Sequence, residues 1–222
     1  MVLKIYLKKM KIEDLPNKIA VFPLSNFIIF PKTTVPLNIF EPRYIQMIDD
    51  AMKGNRIIGI IQPKKTGDLK KPNLYNVGCA GKITSFNETE DGRYLIVLNG
   101  ICRFKIISEE KNDKLYRICN ISFAEYLDDL SKKNEEIKSN DLKFIFDELK
   151  SFFKKQGYLI NLEEMKKNNL DQTINTLSMA SPFSLEEKQI LLETKNLEIR
   201  KEKLEEILKI YTLDKFSNTT LQ

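Results

Sequence analysis

Residues 22–44 read FPLSNFIIFPKTTVPLNIFEPRY, and this stretch is the most informative part of the chain about its fold. It is divided into short apolar pieces by four prolines, which fix the backbone and donate no hydrogen bond: Pro23, Pro31, Pro36 and Pro42. The pieces at 20–24 and 27–30 are predicted strands. Pro42 is predicted to open a helix, in which Tyr44, Met47, Ile48 and Ala51 share one face.

Further strands are predicted on the carboxyl side of this stretch. Short apolar runs with the composition of strands lie at 56–62, 77–86, 93–98, 101–107 and 115–123. Asn99-Gly100 lies between two of these runs, and this dipeptide is a strong signal for a two-residue hairpin. Because residues 94–98 are apolar on both faces, the sheet is predicted to be closed or covered, as in a small barrel.

The second half of the chain is predicted to be helical. Leu142, Ile145, Phe146, Leu149, Phe152 and Phe153 keep helical spacing, and Gly157 is predicted to end that helix. Residues 184–187 form a capping box that begins another helix, and Asn196 is predicted to cap the last one.

The division of the chain follows from its turn residues and its charge. Seven of the eight prolines and seven of the eight glycines lie before residue 101. Residues 1–124 carry 20 cations and 12 anions, whereas residues 125–222 carry 16 and 19. We therefore expect a β-rich subdomain at 1–124, a polar linker at 125–140 and a helical subdomain at 141–222. Proteases are expected to cut first between Asp128 and Asn140.

The composition excludes several kinds of chemistry. The chain has no histidine, which rules out a Ser-His-Asp triad and any imidazole-dependent zinc site. Its three cysteines have no C-x-x-C spacing and are interpreted as buried, reduced thiols. Gly54 and Gly59 have the spacing of a phosphate-binding loop, but Ile60 occupies the position of its essential lysine. We expect no catalytic residue, no cofactor and no metal, and neither ATP binding nor peptide cleavage.

The charge does not indicate a nucleic-acid partner despite a net charge of +5. Only 6 of the 36 cations are arginines, the residue best suited to phosphate and base contacts. The amino terminus has no signal-peptide pattern, and no apolar run is long enough to cross a bilayer. A soluble cytoplasmic protein without membrane contact is expected, whose oligomeric state is left open.

The stretch at 22–44 resembles the opening motif of the LON substrate-binding domain, the amino-terminal domain of the ATP-dependent protease Lon. The resemblance continues at 77–83, 91–94 and 100–104, reaches Arg200 and Leu204, and spans about residues 18–210. The residues that carry the motif are Phe22, Pro23, Phe30, Pro31, Pro36, Phe40, Glu41, Arg43, Tyr44, Gly78, Asp91, Gly92, Gly100, Arg103 and Phe104.

This resemblance implies an α+β fold, a PUA-like β pseudo-barrel with one helix followed by a helical bundle. In the full protease the corresponding region recognises substrate proteins and helps to organise the hexamer. The family's ATPase and Ser-Lys peptidase domains would need several hundred further residues, so we expect a non-catalytic module that binds unfolded segments or a protease partner. The alternatives are an RNA-binding PUA-like protein and, more remotely, a hydrolase with an unrecognised Ser–Lys dyad.

The roles of individual motif residues can also be predicted. Most are expected to be structural, with Phe22, Phe30, Phe40 and Tyr44 as core aromatics. Glu41 is expected to form an internal ion pair that ties the helix to the sheet, with either Arg43 or Arg103 as its partner. An apolar patch beside a cleft between barrel and bundle is expected to bind extended peptide segments; its candidate residues are Ile29, Phe30, Val35 and Leu37.

Overall fold

The computed structural model describes residues 12–25, 27–67, 71–131, 142–155 and 169–217. The chain divides into two compact units, Met1–Ser131 and Lys132–Gln222, here called the barrel unit and the helical unit. The barrel unit contains strands β1 (Lys18–Pro23), β2 (Thr34–Ile39), β3 (Ile57–Ile61), β4 (Pro63–Gly67), β5 (Pro72–Leu74), β6 (Val77–Glu88), β7 (Tyr94–Glu110) and β8 (Arg117–Ser122). Its helix α1 spans Pro42–Met52, and short 3-10 turns span Ile12–Asp14 and Ala124–Leu130.

The main sheet of the barrel unit has the strand order β2-β7-β6-β3-β1-β8. The carboxyl half of β7 also pairs with β8, so β7, β6, β3, β1 and β8 close into a ring. All pairings are antiparallel except that of β1 with β3. Strand β2 pairs only with the amino half of β7 among the described strands, which leaves its other edge outside the ring. This arrangement confirms the predicted α+β fold with a barrel-like sheet.

The expected hairpin at Asn99-Gly100 is wrong, because β7 runs without interruption from Tyr94 to Glu110. Gly100 is instead a point of close approach to the segment before β2. Its N–H donates to the Thr33 carbonyl at 2.8 Å, and a Cβ at this position would lie 2.0 Å from the Phe30 carbonyl oxygen. The glycine is required because the neighbouring backbone occupies the space of a side chain.

The core of the barrel depends on another glycine. Gly78 of β6 pairs with Phe104 of β7, whose side chain is fully buried. A Cβ at Gly78 would lie 2.6 Å from both the Phe104 ring and the Ile60 carbonyl oxygen. The missing side chain therefore allows the phenylalanine ring to lie across the neighbouring strand.

The segment predicted as a polar linker begins inside the barrel unit. Residues 124–130 form a 3-10 turn, and Tyr126 is buried. Asp129 lies 2.8 Å from Arg103, which is 1% exposed in β7. The polar composition of this turn reflects a buried ion pair, which makes the turn part of the barrel unit. Residues 132–140 of the predicted linker lie outside the described residues.

The helical unit contains α2 (Lys143–Lys155), α3 (Leu170–Ala180), α4 (Leu185–Glu193) and α5 (Leu197–Ser217). The capping box is present: Ser184 accepts from the Glu187 N–H, and the Glu187 side chain accepts from the Ser184 N–H. Asn196 accepts from the Ile199 N–H at the start of α5. Gly157 and the side chains of Phe152 and Phe153 lie outside the described residues.

One arginine joins three of these helices. The Arg200 guanidinium of α5 donates to the Asn175 side chain of α3 and to the Leu191 carbonyl of α4. Arg200 is 1% exposed, and Leu204 one turn further is fully buried. Asn175 and the motif residue Arg200 thus stabilise the packing of the helical unit.

Candidate functional site

A groove of about 610 Å³ opens in the barrel unit along the free edge of β2. It is lined by residues 22–25, 27 and 35–41, and by Arg43 and Tyr44. These residues all belong to the sequence stretch at 22–44. The groove therefore combines the end of β1, the loop after it, the whole of β2 beyond Thr34, and the start of α1.

The floor of the groove is apolar and well packed. Phe22, Val35, Ile39 and Tyr44 are all buried, and the rings of Phe22 and Tyr44 have centroids 4.0 Å apart. Burial raises the pKa of the Tyr44 hydroxyl above its ordinary value, so this group is neutral at physiological pH. The floor offers rigid apolar surface that carries no charge of its own.

Phe40 at the rim is the largest exposed apolar side chain of the groove. It was expected in the core, but 66% of it is exposed. The reason is local: residue 39 ends β2 with its side chain inward, and α1 begins at Pro42. The intervening residues turn outward, which places an aromatic ring in solvent beside an apolar channel.

Glu41 was predicted to form an internal ion pair, and this prediction is wrong because its ion pair is exposed. Glu41 does pair with Arg43, with 2.7 Å between Oε2 and Nη2, but the two side chains are 43% and 46% exposed. The Arg43 guanidinium also lies over the Tyr44 ring, 4.5 Å from its centroid. The pair therefore forms part of the groove's rim, where each charge is neutralised by the other.

Arg103 has a different partner. Its guanidinium donates to both carboxylate oxygens of Asp129, at 2.8 and 2.9 Å, and it lies 4.3 Å from the centroid of the Tyr126 ring. Asp129 also accepts the Arg103 backbone N–H at 3.0 Å. This bidentate pair holds the 124–130 turn against β7 and takes no part in the groove.

The expected apolar patch is wrong for two of its four residues. Ile29 and Phe30 are 1% and 0% exposed and do not line the groove, whereas Val35, which is 8% exposed, and the half-buried Leu37 both line it. Thr33 explains the burial, because its hydroxyl donates to the Phe30 carbonyl at 2.6 Å. With its backbone bonded in this way, the proline-containing loop directs its apolar side chains into the core.

The remaining motif residues lie away from the groove. Pro31 is buried in the loop before β2. Asp91 and Gly92 form the turn between β6 and β7, where Gly92 has φ of 77° and Asp91 pairs with Arg93 at 2.7 Å. The hydrogen bond from Arg93, together with one from Thr89, lowers the pKa of Asp91 to about 2. These residues shape a turn.

The described residues contain neither an exposed free thiol nor a cluster of metal ligands. Cys79, Cys102 and Cys119 are free and buried, and burial raises the pKa of Cys119 to about 11 and that of Cys102 still further. Such thiols stay protonated and are poor nucleophiles. No group of His, Cys, Asp or Glu within the described residues could hold a metal ion. What the groove can offer is apolar contact, aromatic surface and backbone hydrogen bonds.

A closed β-barrel with a groove along its edge strand, together with a unit of helices, places the chain in the α+β class. The family model described as "ATP-dependent protease La (LON) substrate-binding domain" matches residues 18–210. This chain belongs to that family. The match covers both units and the entire groove.

Individual relatives agree with this assignment. The chain is 26% identical to the Lon protease of Desulfosudis oleivorans over 199 residues, which are 86% of this chain and 24% of that protein. It thus spans about a quarter of the length of the curated relatives it matches. It also matches the crystal structure of a Lon N-terminal domain protein from Xanthomonas campestris, with a TM-score of 0.62 and 19% identity over 86% of this chain and 97% of that one. A second structure, the N-terminal domain of a Lon protease from the Mycobacterium avium complex, has a TM-score of 0.60, 15% identity and coverage of 86% and 98%.

Proposed function

We propose that this chain recognises other proteins by binding their unfolded segments in the groove along β2. The observation that carries the proposal is that the stretch at 22–44 forms the whole lining of the groove. Its volume of about 610 Å³ is within the range of about 300–1,000 Å³ that is common for ligand sites. A groove made by the family's own motif is a stronger candidate than one made by unrelated surface residues.

The chemistry of the groove favours apolar segments. Its floor is buried aromatic and aliphatic surface, and Phe40 adds an exposed ring at the rim. An apolar side chain that leaves water to enter such a groove gains roughly 25 cal/mol per Å² of buried area. Folded proteins keep these side chains inside, so binding would select proteins that have lost their fold.

The place of this module in proteolysis is part of the proposal. Its relatives are Lon proteases, and the family is described as the substrate-binding domain of an ATP-dependent protease. We propose that the 222 residues supply recognition without catalysis, in the cytoplasm, and that a Lon-type protease would perform the ATP-dependent cleavage. Within the described residues, no helix is long and apolar enough to cross a membrane.

The proposal predicts that Phe40→Asp weakens binding of an unfolded protein by at least tenfold, because it replaces the exposed aromatic ring at the rim with a charged group. Fluorescence anisotropy of labelled β-casein, titrated with the chain, measures this affinity. Ile107→Asp is the matched control, since Ile107 is 65% exposed, compared with 66% for Phe40, and lies in β7 outside the groove lining. Equal affinities of the two variants, both with unchanged circular dichroism, would contradict the proposal.

A further inference from the structure

The free edge of β2 offers backbone hydrogen-bonding groups to the groove. The groove is lined by five consecutive residues of this strand, Val35 to Ile39. No residue of β7, the strand that pairs with β2, is among the lining residues of this groove. The groove therefore lies along the other edge of β2, where the main chain is accessible.

The register shows which backbone groups face the groove. The Gly100 N–H donates to the Thr33 carbonyl. The adjacent pair, Thr34 and Asn99, is therefore one whose two residues form no backbone hydrogen bond with each other. Bonding alternates along an antiparallel pair, so Val35, Leu37 and Ile39 bond to β7. Pro36 and Asn38 direct their backbone groups to the free edge.

Pro36 occupies a position of β2 at which no N–H donor to β7 is needed. Because Pro36 faces outward, its missing N–H removes no bond to β7. The edge next to the groove therefore presents the Pro36 carbonyl and the N–H and carbonyl of Asn38. Within the described part of the chain, no hydrogen bond to these three groups is formed.

We propose that an extended, uncharged apolar peptide binds in the groove as an added antiparallel strand on β2. One peptide residue would donate its N–H to the Asn38 carbonyl and accept the Asn38 N–H. The residue two positions further along the peptide would donate to the Pro36 carbonyl. Its own carbonyl has no donor opposite, because Pro36 has no N–H. Recognition of this kind depends on the peptide backbone as well as on its side chains.

The charged residues of the groove lining favour an uncharged peptide as the occupant. The described lining contains one anion, Glu41, and one cation, Arg43, and the two bind each other. A charged segment would find no opposite charge free to receive it, and its desolvation would oppose binding. The inference rests on the proposed function, since it assigns a binding mode to the same groove.

The experiment compares two peptides of one sequence, acetyl-Gly-Ser-Val-Thr-Leu-Thr-Val-Ser-Gly-amide and its ester analogue. In the analogue, the amide links before the central Thr, Leu and Thr are replaced by esters, which removes N–H donors while the side chains remain. Isothermal titration should give an affinity about tenfold lower for the ester, because several N–H donors are lost together. Equal affinities would overturn strand addition and leave groove binding intact. Binding of neither peptide would overturn both proposals.

Substitutions at Asn38 test the hydrogen bond that its N–H would donate to the peptide. Asn38→Pro removes the outward N–H and should bind the all-amide peptide about tenfold more weakly than Asn38→Ala, which loses the same side-chain amide but keeps the N–H. Circular dichroism of each variant checks that the barrel is intact. If Asn38→Pro does not fold, the ester comparison decides alone. A parent that is dimeric in analytical ultracentrifugation and becomes monomeric in Asn38→Pro would assign the edge to a second copy of the chain and overturn the proposal.

Discussion

At the scale of single residues, two ion pairs of the barrel unit differ in their surroundings. The side chains of Arg103 and Asp129 are 1% and 8% exposed, whereas those of Arg43 and Glu41 are 46% and 43% exposed. Removing one member of a buried pair leaves a charge without compensation, and the free energy of unfolding falls by about 3–5 kcal/mol. An exposed pair contributes less than about 1 kcal/mol.

We therefore expect Asp129→Ala to destabilise the barrel unit by about 3–5 kcal/mol. Glu41→Ala should change its stability by less than about 1 kcal/mol, and it serves as the matched control. Urea denaturation followed by tyrosine fluorescence measures both variants under the same conditions. Similar losses in the two variants would show that the buried and exposed pairs are not energetically distinct.

At the scale of elements, the contact between β7 and the loop before β2 depends on Gly100. A Cβ at this position would lie 2.0 Å from the Phe30 carbonyl oxygen, so Gly100→Ala must displace backbone. We expect a loss of about 1–3 kcal/mol or more in urea denaturation. Gly54→Ala is the control: its Cβ would lie 3.8 Å from the nearest atom, and its stability should be unchanged or slightly raised. Equally small losses of stability in the two variants would contradict the close approach of Gly100 to the Phe30 carbonyl.

The same elements show how far the sequence predicts the fold. Runs of apolar residues and the positions of Gly and Pro predict most of the strands and helices, because those signals are local. They also predict a strand at 27–30, where the structure has none, and they miss β2 at Thr34–Ile39. The hairpin at Asn99-Gly100 is wrong because its glycine serves a contact with Phe30, 70 residues earlier in the sequence. A glycine needed for close approach and a glycine needed for a turn have the same local signature.

The sequence predicts which segment of the chain forms the candidate site, but not which side chains of that segment are exposed. The stretch at 22–44 was identified as distinctive, and it lines the groove. Which of its apolar residues are exposed depends on contacts that form only in the folded chain: the Thr33 hydroxyl donates to the Phe30 carbonyl, and Gly100 of β7 lies against the same carbonyl. The partner of Arg103 was missed because Asp129 lies in a run whose polarity resembles that of a linker.

At the scale of the whole molecule, the boundary between the units predicts where proteases cut. The barrel unit ends at Ser131, and Asp129 just before it is held by Arg103. Residues 132–140 are rich in charge and contain one large apolar residue, and this composition predicts a run that proteases can reach. Limited trypsin digestion with mass spectrometry should find the first cut in this run, at Lys132, Lys133 or Lys138. A first cut at Arg93 or Arg103 would contradict this account.

The most direct test of the central claim locates a bound protein on the chain. The side chain of residue 40 is changed by Phe40→p-benzoylphenylalanine, and the control is Ile107→p-benzoylphenylalanine at a site of equal exposure. Each variant is irradiated with unfolded β-casein, and covalent adducts are quantified by gel electrophoresis and mass spectrometry. Binding in the groove along β2 predicts strong adducts from position 40 and background levels from position 107. Equal adducts from both positions, or adducts from position 107 alone, would contradict the claim.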